Sequence, residues 1–378
     1  MLCYNKSAMS FKKPTAKQVA LEARVSITTV SHFLSGKANA CSPDTAERIK
    51  AAIASLHYTP NALGKGLRNQ HLRTVGICMF DPFDVPYPTE SPDFWRNSSV
   101  ERTWRGILSE AHSADYRLVM YPASVRESAA HTVFLDGSID GLIFMAGHED
   151  ERPNLVANVG FPVVLISRWL NISDRASCVY ADERQAVELV MSHLWTLGHR
   201  RIAHISGPVR AFPNVERDQY DQSDVAIARL EGYVDWMRKW GDYDPELIAR
   251  GNSWIGGHSA QAVNAWFESP NPNRPTAIFC SNDAAARQAM ETARQLGWDV
   301  PSQLSIVGIG NVSGAQVTDP PLTTVDLAAE AVGREAFRVL IAQLGAHPSK
   351  PVQRSMEVGR LVVRSSTAPP PAQQPIYN

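Results

Sequence analysis

A chain of 378 residues, 44% hydrophobic and 20% charged, has ordinary globular composition and room for two or three domains; its five scattered cysteines (Cys3, Cys41, Cys78, Cys178, Cys280) form no C-x-x-C pair, which argues against zinc or a disulfide framework. No apolar run approaches the ~18 residues of a membrane span, and the opening MLCYNKSAMSFKKP lacks the apolar core of a signal peptide, so a cytoplasmic protein without metal or cofactor is expected. The net charge of −1 hides an asymmetry: residues 1–73 hold eleven Lys/Arg against three Asp/Glu, a local +8 on a body of −9, which is the electrostatic footprint of nucleic-acid binding rather than of a low-complexity tail.

The first predicted helix opens at Thr15, with Gln18 three residues on, the signature of a capping box. Val19, Ala20 and Ala23 form its apolar stripe. Ser26 caps a second helix, ITTVSHFL, after a short turn at Arg24-Val25. Val30, Phe33 and Leu34 face inward at helical spacing, which leaves Ile27, Thr28, Ser31 and His32 on the opposite face. Ser42-Pro43 is a cap followed by proline at the first helical position. It starts a third helix, DTAERIKAAIASLHY, whose apolar face is Ala46, Ile49, Ile53 and Leu56. Two short helices about a tight turn, packed on a third, make a helix-turn-helix, whose second helix enters a DNA major groove. Thr59-Pro60 ends the third helix. Gly64 and Gly66 in the following NALGKGLR each cost a helix ~1 kcal/mol relative to alanine.

From Thr74 the pattern changes to strand, helix, strand. TVGICMF, RLVMYP, GLIFM, VVLIS, RIAHIS, AIFCS and SIVGIG are short apolar runs suited to parallel strands buried on both faces. Amphipathic stretches over 100–114, 183–197 and 283–296 lie between them, as doubly wound α/β units require. Two long loops, DPFDVPYPTESPDFWRNSS and RAFPNVERDQYDQSDVA, are expected to overhang a cleft. The closing TAPPPAQQPIYN reads as a proline-rich disordered tail.

These segments, in this order over residues 15–366, resemble the lactose-repressor/galactose-repressor (LacI/GalR) family. The resemblance rests on TAKQVALEARVSITTVSHFLSGK, on SPDTAERIKAAIASLHYTPNALGKGLR, and on LGHRRIAHISGP, RLEGY, PTAIFCSNDAAARQAMETARQLGWDVPSQLSIVGIGN and PPLTTVD. It implies an N-terminal all-α helix-turn-helix domain plus an α/β effector domain of two doubly wound parallel-sheet subdomains, like periplasmic binding proteins. The expected divisions are an extension 1–14, the DNA-binding domain 15–59, a hinge 60–72, the effector domain 73–366 and a tail 367–378. Within the effector domain, 73–169 plus 311–325 would form one subdomain and 172–308 plus 328–366 the other.

By the resemblance, Ile27, Thr28 and His32 stand where the family reads bases. Thr15, Ser26, Thr29, Ser31 and Asn61 stand where it contacts phosphates or holds the turn, and Leu67 where a leucine wedges into a central base step. His32 departs from the usual arginine and cannot fork onto guanine O6 and N7. Arg24 replaces a turn glycine and is expected to accept positive φ. Arg229 and Asp283 match the family's effector-contacting arginine and acid, a pair suited to hydroxyl-rich ligands; a structural salt bridge or helix cap is the alternative. Trp254, Arg168 and Trp95 are further cleft candidates. The spacing near Trp254 is one residue short, so Asn252 or Ser253 is the alternative there.

The function expected is a sequence-specific transcriptional regulator, most simply a repressor. It would bind a near-palindromic operator as a homodimer under control of a sugar-like effector. A solute-binding protein of the same body fold is the alternative, and it has no use for a basic head. No nucleophile motif or phosphate loop suggests an enzyme, and His199 of the trio His193, His199 and His204 belongs to the LGHRRIAHI pattern.

Overall fold

The computed structural model describes residues 14–34, 41–56, 58, 72–79, 99–122, 125–145, 150–166, 173–208, 225–251, 257–268, 273–345 and 350–371. The chain divides into two units, residues 1–72 and 73–378. None of the described helices is long and apolar enough to cross a membrane.

Among its described residues the first unit, the head, holds three helices: α1 (Ala16–Glu22), α2 (Ile27–Leu34) and α3 (Pro43–Ser55). Thr15 closes the expected capping box, its hydroxyl accepting from the Gln18 N–H while the Gln18 side chain accepts from the Thr15 N–H at 2.8 Å. Ser26 accepts the Thr29 N–H at 3.0 Å and caps α2. Ser42 does the same for Thr45 at the start of α3. α3 stops at Ser55, three residues before its predicted end at Tyr58. Arg24 lies at φ 52°, as expected for the replacement of a turn glycine. This left-handed residue lets the Val25 N–H reach back to the Ala20 carbonyl at 2.9 Å and end α1. Val19, Ala20, Ala23, Val30, Ile49 and Ala52 form the head's core.

Among its described residues the second unit holds two six-stranded sheets, each the centre of a lobe. The first lobe runs through β1 (Thr74–Met79), α4 (Ser99–Ser113), β2 (Arg117–Tyr121), α5 (Ala130–Phe134), β3 (Gly141–Met145), α6 (Arg152–Asn158), β4 (Val163–Leu165) and β5 (Ser177–Ala181). The second takes α7 (Glu183–Thr196), β6 (Ile202–Pro208), α8 (Val225–Trp240), β7 (Ile248–Gly251), α9 (His258–Phe267), β8 (Ala277–Cys280), α10 (Asp283–Gln295), β9 (Ser305–Ile309) and β10 (Thr323–Val325). The chain then returns to the first lobe for α11 (Ala329–Gln343) and β11 (Gln353–Met356). It ends in the second with β12 (Leu361–Val362). The sheet orders are β11-β5-β4-β3-β1-β2 and β12-β10-β9-β8-β6-β7. Every pairing is parallel except β10 with β12.

Apolar residues cover both faces of each sheet. In the first lobe, Val75, Ile77 and Ile143 pack under Ile107 of α4 and Phe337 and Leu340 of α11. Phe134, Leu142, Phe144 and Val156 fill the other side. In the second, Ile205, Ile278 and Ile306 meet α9 and α10, while Phe279 and Val307 meet Val190 and Tyr233 of α7 and α8. Each such large side chain contributes ~1.5–3 kcal/mol on burial.

Three expectations need correction. The first concerns the lobe boundaries. The strand β5, residues 177–181, pairs with β4 in the first sheet, and β10 pairs with β9 in the second. The crossovers therefore fall at Asp182, at 326–328 and at 357–360, not at 168–172 or 309–312. Residues 311–325 belong to the second lobe, and 329–356 to the first. All these strands are short and apolar, so nothing local tells which sheet a strand joins. The second concerns β2, which is an edge strand and not buried on both faces: Val119 and Met120 are 37% and 63% exposed. The third concerns the tail, whose described residues 367–371 follow a segment bonded into the second lobe. Ser366 exchanges hydrogen bonds with β9, and the Ala368 carbonyl accepts from Ser305 and His199. Prolines lack an N–H to satisfy, so a proline-rich segment lies against the open start of a strand as readily as it stays in water.

Candidate functional site

Two surfaces carry the candidate residues. On the head, Ile27 is 50% exposed, Thr28 is exposed, and Ser31 and His32 are half-buried. They share the outer face of α2 because Val30 is drawn fully into the core by helical spacing. Ser26 and Thr29 hold the turn, their hydroxyls 2.8 Å apart. Arg48 of α3 donates to the Ala23 carbonyl at 3.2 Å and braces the same turn. Asn61 and Leu67 lie outside the described residues, as do Trp95, Arg168, Asn252, Ser253 and Trp254 and both long loops but for their last residues, which open α4 and α8.

In the second lobe, Arg229 and Asp283 are brought together at the carboxyl end of β8. Asp283 is the first residue of α10, which Asn282 caps by accepting the Ala285 N–H at 2.7 Å. Arg229 reaches down from the first turns of α8, donating to the Ser281 carbonyl and, at 2.7 Å, to Glu183. Both side chains are nearly sealed, at 4% and 3% exposure. Sheets of this kind take ligands outside the carboxyl ends of their strands, and the pair lies at that end of β8.

Asp283 spends one lone pair of each oxygen inside the lobe. Oδ2 accepts the Val312 N–H at 2.9 Å, and Oδ1 accepts the Thr324 hydroxyl at 2.5 Å. Gly308 makes room for it, since a Cβ there would lie 2.3 Å from Oδ1. Burial pushes the carboxyl up to about 6, against the pull of these two donors and of the Arg364 and Arg229 charges. An ionised carboxylate has about four acceptor positions, and these two bonds use one on each oxygen. Glu183, Ser281, Thr324 and Arg364 escaped the sequence reading. Ser281 is a near neighbour in the chain, but only the fold brings the distant Glu183, Thr324 and Arg364 to this end of the lobe.

The three histidines go separate ways. His199 lies between Thr276, Ser305 and the Ala368 carbonyl, and burial pushes its pKa down to about 4. His204 is stacked between Tyr233 and Phe279, and His193 faces Thr367. Among the described residues no group of His, Cys, Asp and Glu is placed to hold a metal ion.

The sequence of the head matches the family model "Bacterial regulatory proteins, lacI family" over residues 15–61, and residues 191–367 match the periplasmic binding protein-like domain. The chain belongs to the LacI family. It is 28% identical over 358 residues to the HTH-type transcriptional repressor CytR of Escherichia coli K12, covering 93% of this chain and 96% of that one. The transcriptional regulator CelR, solved with cellobiose, is 25% identical with a TM-score of 0.65 and covers 94% of this chain and 100% of its own. The lac repressor dimer, solved on operator with the anti-inducer ONPF, shares the fold at a TM-score of 0.75 and 23% identity over the same shares. As a LacI-family protein the chain is a DNA-binding repressor with an effector-binding domain, and not an enzyme.

Proposed function

We propose that this LacI-family protein binds a near-palindromic operator as a homodimer and is governed by a sugar-like effector held between its lobes by Arg229 and Asp283. The observation that carries the reading is the sealed pair at the end of β8: a forked donor beside a carboxylate with acceptor positions to spare, which suits a ligand rich in hydroxyls. The cellobiose held by the related CelR is a ligand of that kind. The dimer reading is supported by the first lobe's edge. Val119 and Met120 on β2, with Leu108 on α4 at 52% exposure, are large apolar side chains left on the surface. A two-fold interface uses one such patch on both copies. Trp95, Arg168, Trp254 and Asn252 remain candidates for the same cleft.

At the operator, Ile27, Thr28 and His32 read bases, while Thr15, Ser26, Thr29, Ser31 and Asn61 set the turn and the phosphate contacts. Leu67 wedges between the half-sites. Histidine in place of arginine favours a half-site without the usual guanine contact.

The test is a melting-temperature screen of mono- and disaccharides, cellobiose included, on the full chain and on Asp283→Ala. One sugar is expected to raise the melting temperature of the wild type alone and to change operator binding. A sugar that stabilises both proteins equally removes Asp283 from the site. No stabilisation by any sugar refutes the sugar reading.

A further inference from the structure

One side chain at the crossover between the lobes is gripped from both sides. Asp326 accepts both terminal nitrogens of Arg102, at 2.9 and 3.0 Å. Arg102 stands in the first turns of α4, which is packed into the first lobe's core. The backbone of Asp326 belongs to the second lobe. Its N–H reaches the Arg360 carbonyl at 3.0 Å, and its carbonyl accepts the Gly359 N–H at 2.8 Å, beside the β10–β12 ladder. The same carboxylate accepts the Ala328 N–H and the Asn311 amide. Burial pushes this carboxyl up, but these donors outweigh it and hold Asp326 below the usual carboxylate range.

The Arg102 contact continues the register of two helices. Gly106 of α4 lies against the Glu330 carbonyl of α11, and Ser109 accepts from Arg334 at 3.1 Å. One turn earlier on each side stand Arg102 and Asp326. The pair therefore extends a rigid helix contact of the first lobe onto the segment that enters the second. A forked arginine–carboxylate pair fixes orientation as well as distance, so lobe rotation that moved Asp326 relative to α4 would break it.

From Asp326 the hydrogen bonds run on without a gap. Asn311 donates to Asp326 at 3.1 Å and accepts from Arg364 at 2.8 Å. Its own N–H reaches the Thr324 hydroxyl at 3.2 Å, and that hydroxyl donates to Asp283. Asn311 holds φ 48°, a conformation that asparagine accepts better than most residues.

We propose that the chain Asp283–Thr324–Asn311–Asp326–Arg102 transmits the state of the effector cleft to the first lobe, with the Arg102–Asp326 pair as the latch between lobes. A ligand hydroxyl that bonds to the second acceptor position of Asp283 Oδ1 shares that oxygen with Thr324 and weakens the Thr324 bond, and any shift of Thr324 is felt at Asn311 and then at Asp326. Arg102, Asn311 and Asp326 are positioning residues that touch neither ligand nor DNA. This rests on the reading of Asp283 as the effector acid.

The operator measurement needs no effector. The full chain selects an operator duplex from a random library, and its Kd is measured by fluorescence anisotropy for wild type, Arg102→Met, Asp283→Asn and the double variant. Each single change is expected to shift operator Kd on the order of tenfold while leaving Kd for an unselected duplex unchanged. In the Arg102→Met background, Asp283→Asn is expected to add nothing. Arg102→Lys, which keeps the charge but loses the fork, should fall between wild type and Arg102→Met. Additive single effects, or an unchanged operator Kd in Arg102→Met, overturn the proposal. If Asp283→Asn does not fold, Asn311→Ala takes its place in the same cycle. The sugar-dependent melting shift of Asp283→Asn separates the two readings. If that shift is lost and the cycle is additive, only the latch falls; if it persists, the reading of Asp283 falls first.

Discussion

Replacing Asp283 with asparagine isolates the cost of burying this carboxylate. Burial raises the carboxyl from 3.8 to about 6 in the folded protein, despite the Thr324 and Val312 donors and two nearby arginines. A carboxyl whose folded value is raised favours the folded state when protonated. That stability is fully present below the ordinary value of 3.8 and is lost as pH climbs through about 6. A shift of about two units at 1.36 kcal/mol each amounts to ~3 kcal/mol in all, of which ~2 kcal/mol falls between pH 4.5 and 7.5. Asparagine does not titrate. It also loses one acceptor, which costs a pH-independent ~1–3 kcal/mol. The difference in stability between wild type and Asp283→Asn should therefore narrow as pH rises. The assay is urea denaturation followed by tryptophan fluorescence at pH 4.5, 6.0 and 7.5 and constant ionic strength. Parallel stability profiles would refute the reasoning, because they would mean that the carboxylate is solvated. A ligand whose hydroxyls bond to the ionised form should lower this pKa and release protons on binding.

Gly333→Ala would place a Cβ 2.1 Å from the Thr103 carbonyl. Both neighbours are backbone, so no rotamer change relieves the clash. Overpacking of 1–3 kcal/mol at its upper end, less ~1 kcal/mol of helix propensity, leaves a loss of ~2 kcal/mol, readable by the same denaturation. Arg24→Gly removes the ~1–2 kcal/mol strain of a left-handed side chain, so the head should gain amide-exchange protection; unchanged protection would show that no strain is held there. Met120→Glu on the exposed edge of β2 is expected to turn a dimer into a monomer in sedimentation velocity, because a two-fold interface would place the charge in both halves. A variant that sediments as the wild type moves the interface elsewhere.

Much of the head was legible because its signals are local. A capping box, a serine cap, a Ser-Pro start and one apolar stripe per helix act within four residues, and Thr15, Ser26, Ser42 and Val30 behave accordingly. Arg24 was legible for the same reason, since a tight turn between two short helices constrains its own backbone. The seven strongest apolar runs all became strands. The weaker ones, SCVYA, IARG, TTV and QRSM, went unread, because they are short or polar and derive their pairing from neighbours distant in the chain.

Sequence by itself determined the family, the fold class, the basic head and the candidates Arg229 and Asp283, all of which rest on residue identity and short-range spacing. Tertiary structure alone decided which lobe each strand joins, that the segment after Ser366 is bound to β9, and that Asp283 is sealed against Thr324 and Val312. It also decided that Arg102 meets Asp326 across 224 residues of chain. The physical reason is common to all four. Strand pairing, the covering of a strand's start, desolvation and ion pairing depend on what lies across the core, and no local pattern encodes a neighbour that far away.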